Sequence, residues 1–131
     1  MNPTTQDIKD ILEDSIGVAE LSFGTNLFIG IMPDTPDSCV GLYDTGGMAP
    51  DEAIEGLLYP TFQVRVRGAE GGYQTAYALA QSVRNALHQL ANQTFNGTRY
   101  LYIFASSDIL FLGPDEKGRP LFSINFRTAK T

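Results

Sequence analysis

Between Tyr73 and Leu90, apolar residues recur every three or four positions, and this pattern constrains the fold more than any other in the chain. The stripe consists of Tyr73, Ala76, Tyr77, Ala80, Val83, Leu87 and Leu90. Polar residues, among them His88, take the opposite side. The pattern predicts an amphipathic helix of about 20 residues with a solvated histidine. Such a helix needs an apolar surface to cover.

Strands are predicted to supply that surface. Residues 60–67 and 121–127 alternate between apolar and polar side chains, as expected of two strands that each bury one face. The inward residues are Phe62, Val64, Val66, Phe122, Ile124 and Phe126. The outward residues are Thr61, Gln63, Arg65, Arg67, Ser123, Asn125 and Arg127. Pro120 indicates either a strand start or an edge position for the second strand.

Two more strands are predicted after the long helix. Residues 99–105 are apolar on both faces, which is typical of a central strand. On one of those faces, Tyr100, Tyr102 and Phe104 are expected to pack under the long helix. A short strand over residues 108–112 then leads, through a turn rich in Gly, Pro and Asp, into the last strand.

The first third of the chain is predicted to hold a helix and a hairpin. Thr4 and Asp7 fit a capping box at the start of the helix, which Gly17 ends. The buried face of this helix is predicted to consist of Ile8, Ile11, Leu12 and Ile16. Residues 27–32 and 38–43 are predicted to pair as an antiparallel hairpin around a proline-rich turn.

The resulting order is α-β-β-β-α-β-β-β. It predicts an α+β fold with a mostly antiparallel sheet and one long helix packed across it. A chain of 131 residues suits one domain, spanning residues 1–131. The longest irregular stretch, from Asp44 to Tyr59, is unusual for so small a domain, and loops of this length are usually functional.

Composition and motifs point away from an enzyme. The single histidine, His88, and the single cysteine, Cys39, leave little for a zinc site and exclude an intrachain disulfide. The chain has no nucleophile elbow, phosphate loop, dinucleotide fingerprint or zinc-protease motif. We therefore expect no catalytic residue, no metal and no cofactor. No apolar run approaches the length of a membrane span, so no membrane partner is expected.

Charge is divided unevenly along the chain. The net charge is −6, but residues 1–55 hold eleven acids and one base, whereas residues 56–131 hold four acids and eight bases. Two explanations are open: the halves neutralise each other within one fold, or they meet across subunits. The net negative charge has the wrong sign for specific nucleic-acid binding.

Several segments, in order, resemble the bacteriophage minor capsid or tail terminator (tail completion) family of long-tailed phages. They are Gly41–Gly47, Tyr59–Gly68, Tyr73–Leu87, Leu112–Pro120 and Phe122–Phe126. The similarity covers roughly residues 38–127 and leaves residues 18–37 without a match.

The resemblance implies a structural virion protein without enzymatic activity or cofactor. Such proteins form a ring, usually of six subunits, that caps the tail tube, stops tube polymerisation and docks the tail to the connector or stopper of the head. The implied partners are therefore further copies of the chain, the tube protein and the head-side connector. DNA passes through the lumen without specific binding. The implied location is the head–tail junction of the virion, after assembly in the host cytoplasm.

In such a ring, the loop after residue 43 and two arginines on the alternating strand are the expected contacts. Adjacent glycines can turn the chain sharply, and arginine suits interfaces because its fork binds carboxylates. Acids of one subunit's first half, at positions 51, 52 and 55, are expected either to face the arginines of the next subunit or to line the central channel, where they would repel DNA. The predicted contact residues are Asp44, Gly46, Gly47, Asp51, Glu52, Glu55, Arg65 and Arg67.

Two other functions stay open at this point. One is a different head–tail joining protein, such as a connector-side stopper, which composition does not distinguish from a terminator. The other is a small α+β enzyme or ligand-binding domain, which would show a deep pocket with convergent polar groups.

Overall fold

The computed structural model describes residues 1–14, 18–50 and 53–131. Two helices lie on one face of a curled, mostly antiparallel sheet, which confirms the α+β class. The helices are α1 (Thr4–Glu13) and α2 (Tyr73–Leu87). The strands are β1 (Leu27–Ile29), β2 (Cys39–Met48), β3 (Tyr59–Arg67), β4 (Leu90–Phe95), β5 (Thr98–Ala105), β6 (Leu110–Pro114) and β7 (Pro120–Lys130).

The last strand, β7, organises the sheet. The strand order is β1-β2-β3-β7-β5-β4, and β6 also pairs with β7. Because β3 occupies one edge of β7, strands β5 and β6 follow one another along its other edge. The ladder continues between them, where the Ser106 N–H donates to the carbonyl of Asn125 at 2.8 Å. Strand β4 covers the outer edge of β5 but is not paired with β6.

The core lies between the sheet and the helices. The predicted inward residues of β3 and β7 are all buried, and the rings of Phe62 and Phe126 stack with centroids 4.9 Å apart. Helix α2 contributes its small and branched residues, and α1 contributes its predicted apolar face. The buried helical residues are Ile8, Ile11, Leu12, Ala76, Ala80, Val83 and Leu87. Ile16 and Gly17, predicted at the end of α1, lie outside the described residues.

The long helix ends earlier than predicted. Helix α2 stops at Leu87, and the Gln89 backbone then takes a φ of 67° and donates its N–H to the carbonyl of Ile103. Leu90, which was assigned to the helical stripe, instead opens β4. The prediction was wrong because the apolar spacing at Leu90 fits both a helix and a strand, and pairing with β5 decides between them.

The predicted first hairpin is also wrong. Strand β1 pairs with β2 in the parallel direction, with Leu27 opposite Val40. The connecting residues 30–38 pass over the sheet rather than turning tightly, and Met32 lies so close to Gly41 that a Cβ there would come within 2.6 Å of its Cγ atom. Strand β2 also continues to Met48, so the irregular segment before β3 is shorter than predicted.

Two local predictions fail for identifiable reasons. Thr4 is the first residue of α1 and the predicted capping box does not form, because the carboxylate of Asp7 turns into the protein instead. In β5, a register shift between Tyr100 and Tyr102 breaks the alternation. As a result Tyr100 and Ile103 enter the core, whereas Tyr102 and Phe104 are half-buried on the opposite face of the sheet.

Candidate functional site

The outer face of the sheet, opposite the helices, divides into two regions. At one end a loop covers it; we call this region the covered end and define it by Arg67, Arg119 and the loop 33–37. The remaining part carries no helix in the described residues and is not covered by the loop 33–37, although Met32 lies against Gly41 at its margin; we call it the open face. It consists of Tyr43, Gln63, Arg65, Phe104, Asn125 and Arg127, placed together by the pairing of β2, β3, β7 and β5.

Arg67 holds the loop at the covered end. Its guanidinium donates to the carbonyls of Asp37 at 2.9 Å and Pro36 at 2.8 Å, and also to the carbonyl of Pro33. The side chain is buried although the strand alternation places it on the outer face. Carbonyl acceptors arranged around one guanidinium explain why the loop folds back over the sheet at this position.

Arg119 fastens the same loop to the turn before β7. Its Nε donates to the Asp115 carboxylate at 2.7 Å, and its Nη1 donates to the carbonyl of Asp34 at 2.7 Å. Lys117 adds an ion pair to Asp34 at 2.6 Å, and this contact holds the pKa of that carboxyl below its usual range. For Asp115, burial raises the pKa, but hydrogen bonds from Arg119 and Lys117 outweigh it and leave the pKa lowered.

These contacts bear on the uneven charge. Acids of the first half, Asp34 and Asp37, pair with bases of the second half, Lys117 and Arg119, inside one subunit. This favours mutual neutralisation within the fold for that part of the charge. It also gives Arg67 a structural role, although its predicted role as a partner contact stays a prediction.

The open face is arranged differently. The Arg65 Nε donates to the Gln63 side chain at 2.8 Å, and its guanidinium lies 5.2 Å from the centroid of the Tyr43 ring. The Gln63 amide in turn donates to Asn125 at 3.0 Å. Arg127 lies over the ring of Phe104 at 5.8 Å. Within the described part of the chain, neither arginine of the open face has a carboxylate partner.

Asp44, another predicted contact, caps α1 from a distance. Its carboxylate accepts hydrogen bonds from the Thr5 hydroxyl at 2.8 Å and from the Thr5 N–H at 3.3 Å. Nearby, the Tyr100 hydroxyl donates to Asp7 at 2.6 Å, and burial, reinforced by this carboxylate, raises the pKa of Tyr100. Burial lowers the pKa of Lys130, against the attraction of the two carboxylates. The cluster ties α1 to the sheet.

The arm formed by the ends of β2 and β3 carries the predicted glycines. Gly46 and Gly47 have φ values of 86° and 122° at the register shift in β2. A Cβ on Gly47 would lie 2.2 Å from the carbonyl oxygen of Tyr59, so only glycine fits there. Glu55 is exposed on the following loop. Asp51 and Glu52, the other predicted acids, lie outside the described residues.

An exposed apolar patch along β6 is absent from the predicted contacts. Leu110, Phe111 and Leu112 are 56%, 41% and 45% exposed, and the half-exposed ring of Tyr73 packs edge-on against Phe111 at 5.0 Å. We call these four residues the β6 patch. Three successive exposed apolar residues on a strand with one unpaired edge are typical of a contact surface. The signal was present in the sequence as Leu-Phe-Leu directly before a Gly-Pro turn.

One depression, of about 480 Å³, gathers residue types found in catalytic sites. Its lining includes His88, Ser107 and Asp108, and His88 is half-buried rather than fully solvated. Each group serves the fold: His88 Nδ1 accepts the Ala105 N–H, the Ser107 hydroxyl accepts the Asn125 N–H, and Asp108 pairs with Arg84. No hydrogen bond joins these three side chains to each other in the described residues, so no nucleophile–base pair is formed.

Residues 1–14, 18–50 and 53–131 contain no group of three or more His, Cys, Asp or Glu side chains arranged to hold a metal ion. Neither helix has the length and apolar character needed to cross a membrane.

A family model described as bacteriophage tail terminator protein matches residues 6–131. The chain belongs to the bacteriophage tail terminator family. This confirms the resemblance found in the motifs and extends it over residues 18–37, which the motif comparison had left unmatched. Tail terminators are structural proteins of phage tails, so the chain is a tail-associated structural component of a phage-type virion.

Solved structures share the fold of this chain. A chain of a native gene transfer agent virion superposes with a TM-score of 0.75 at 19% identity, over 97% of this chain and 93% of that one. A second solved chain, which carries no functional name, gives a TM-score of 0.54 at 13% identity over 96% and 89%. At such identities the likeness concerns the fold alone. No curated protein sequence matches this terminator.

Proposed function

We propose that this tail terminator, acting through residues 1–131 as one domain, forms a ring on the end of the tail tube. The ring ends tube polymerisation and offers its other side to the connector or stopper of the head. Six subunits are proposed, with DNA passing through the lumen without specific binding. Assembly takes place in the host cytoplasm, and the ring stays at the head–tail junction. The family match over residues 6–131 carries this proposal.

The surfaces of the subunit support an assembly role. Strand β6 exposes three successive large apolar side chains beside its unpaired edge, and an exposed apolar edge strand of this kind is typical of a contact surface. On the β2–β3 arm, Met48 and Ile54 are also more than half exposed. We propose that the arm, with Gly46, Glu55 and the acids at 51 and 52, contacts a partner in the virion. Asp44, Gly47 and Arg67 would contribute by holding the contact surfaces in place.

A tube-elongation assay tests the proposal. Purified tube protein of the same phage is polymerised with and without this terminator, and tube lengths are measured by negative-stain electron microscopy. The proposal predicts shorter tubes of fixed length, each with a ring at one end. The matched variants are Phe111→Ser, which removes an apolar side chain of the β6 patch, and Arg99→Ser, an exposed residue of the β4–β5 hairpin.

Three results would count against it. Continued elongation in the presence of the wild-type protein would contradict a terminator role. Rings that bind isolated head connectors but ignore tube ends would identify a head-side stopper instead. An equal loss of capping by Phe111→Ser and Arg99→Ser would remove the β6 patch from the proposal.

A further inference from the structure

The open face carries two arginines whose side chains are held in place by their neighbours. Its two arginines are held in place, Arg65 by the Gln63 side chain and the Tyr43 ring, and Arg127 by the Phe104 ring. Their remaining N–H donors point to no carboxylate in the described residues. A guanidinium fixed on an aromatic ring loses little conformational entropy when it binds a carboxylate. The open face is therefore prepared for an acidic partner surface.

An acidic surface lies on the opposite side of the same subunit. Helix α1 packs on the inner face of the sheet, and Glu13 is exposed at its last position. Glu20 is exposed in the turn that follows, and the Phe23 N–H binds the Glu13 carboxylate and ties this turn to the helix. Asp10 is neutralised by Lys9 at 2.8 Å, whereas neither glutamate has an ion pair in the part of the chain described. We call Glu13 and Glu20 the α1 acids.

The geometry points to a contact between copies in which the open face of one subunit packs on the α1 acids of the next. Arg65 and Arg127 would pair with the neighbour's Glu13 and Glu20. This inference rests on the proposed ring and names the surfaces that build it. Because the two surfaces lie on opposite layers of the subunit, each contact leaves a free surface of each kind. Such heterologous contacts form a ring when the rotation between subunits closes.

The charges favour a second copy over nucleic acid. An open face that bound the phosphate backbone would carry more than two cations, because each neutralised phosphate contributes only a small part of the affinity. The α1 acids, in turn, would remain without a partner. A second copy satisfies both surfaces with the same contact.

Charge reversal tests the inference in assembled rings. The Arg65→Glu/Arg127→Glu double variant is expected to cap tube ends at least about tenfold less well than the wild type, because like charges would then face each other. Adding Glu13→Lys and Glu20→Lys to the same chain is expected to restore most of the capping. Arg99→Glu is the control, with the same Arg-to-Glu reversal at a single exposed residue outside both surfaces. Thermal melts establish that every variant is folded.

A crosslinking experiment reads the contact directly. Arg65→Cys and Glu13→Cys are made in separate chains, mixed on tube ends and treated with a short bismaleimide; the natural Cys39 is buried. Crosslinked dimers are expected from the mixture and not from either variant alone. Crosslinking of Arg65→Cys with itself would overturn the heterologous arrangement.

The outcomes separate this inference from the proposed function. If the double reversal caps tubes as well as Arg99→Glu does, the surfaces are wrong and the terminator role stands. The double-reversal variant could also form intact rings that no longer retain duplex DNA, although wild-type rings do. In that case the open face lines the lumen and the inference fails. If the wild type neither forms rings nor caps tubes, the proposed function itself fails.

Discussion

The covered end and the open face belong to the same side of the same sheet, yet they treat arginine in opposite ways. Arg65 and Arg67 are two residues apart on β3 and share a face. Arg67 is buried under the loop 33–37 and donates to three backbone carbonyls. Arg65 lies exposed on a tyrosine ring. Identical side chains in one alternating pattern thus serve the fold in one case and are available to a partner in the other.

The difference comes from what crosses the sheet. Residues 30–38 connect β1 and β2 as a parallel pair, where the sequence predicts a hairpin. The same segment places its carbonyls over Arg67. Two positions before Arg67 on β3, at Arg65, the sheet carries amide and arginine side chains that the loop 33–37 does not cover. A charged residue on the outer face of a strand therefore identifies a contact surface only after the path of the loops is known.

The largest effect is expected at Arg67. Arg67→Ala removes the donor that binds three backbone carbonyls and leaves a cavity beneath the loop. We expect the free energy of unfolding to fall by about 3–5 kcal/mol. Urea melts followed by circular dichroism measure the loss. A loss below about 1 kcal/mol would show that the loop holds its position without the arginine, and the covered end would then be no different from the open face.

Leu87→Ala sets the scale for the inner face. Leu87 is fully buried at the last position of α2. Its truncation is expected to cost about 2–5 kcal/mol, because it loses buried area and leaves a cavity. The same melts measure it, with Tyr73→Ala, at a half-exposed position of the helix, as the comparison variant. Equal losses for the two variants would contradict the assigned helix face.

Acid is expected to loosen the covered end. The pKa values of Asp34 and Asp115 are lowered in the folded protein, so their contribution to stability is present above the unfolded value near 3.8 and is lost as the pH falls through the folded values. NMR resonances of the Asp34, Thr35 and Asp37 amides should therefore shift and broaden below pH 4, more than those of β3. In Asp34→Asn/Asp115→Asn this pH dependence should be flattened. An unchanged profile in that variant would assign the effect to other carboxyls.

The smallest effect on stability is expected at Arg65. Arg65→Ala should change the free energy of unfolding by less than about 0.5 kcal/mol, because an exposed cation–π contact and one hydrogen bond contribute little. Differential scanning calorimetry, with Arg67→Ala alongside, measures the contrast. A loss comparable to that of Arg67→Ala would show that the open face is structural as well.

Much of the fold was predictable because strong patterns agreed with the tertiary structure. The alternation in β3 and β7 gave the correct buried faces, and the apolar stripe gave α2 up to Leu87. The end of α2 and strand β4 were missed because Leu90 suits either period and only pairing with β5 distinguishes them. The register shift in β5 was missed because every residue from Tyr100 to Phe104 is apolar, so no pattern marks the bulge.

The candidate site was less predictable than the fold. Local sequence gave Arg65 and Arg67 the same role, since only the non-local path of residues 30–38 separates them. Asp44 was proposed as a contact from its place in a glycine-rich loop, but its role as a cap for Thr5 depends on a contact across 39 positions. The family, by contrast, was recognisable from the order of several short segments, because that order reflects the whole chain.

The most direct test of the account is a cryo-electron microscopy reconstruction of tube ends capped by the wild-type protein. The account predicts a closed ring of six copies, in which Arg65 and Arg127 of each subunit lie against the α1 acids of the next and Arg67 stays inside its own subunit. A ring in which no neighbouring subunit covers the open face would contradict it. Tube ends that carry no density for this protein after it has been added would also contradict it.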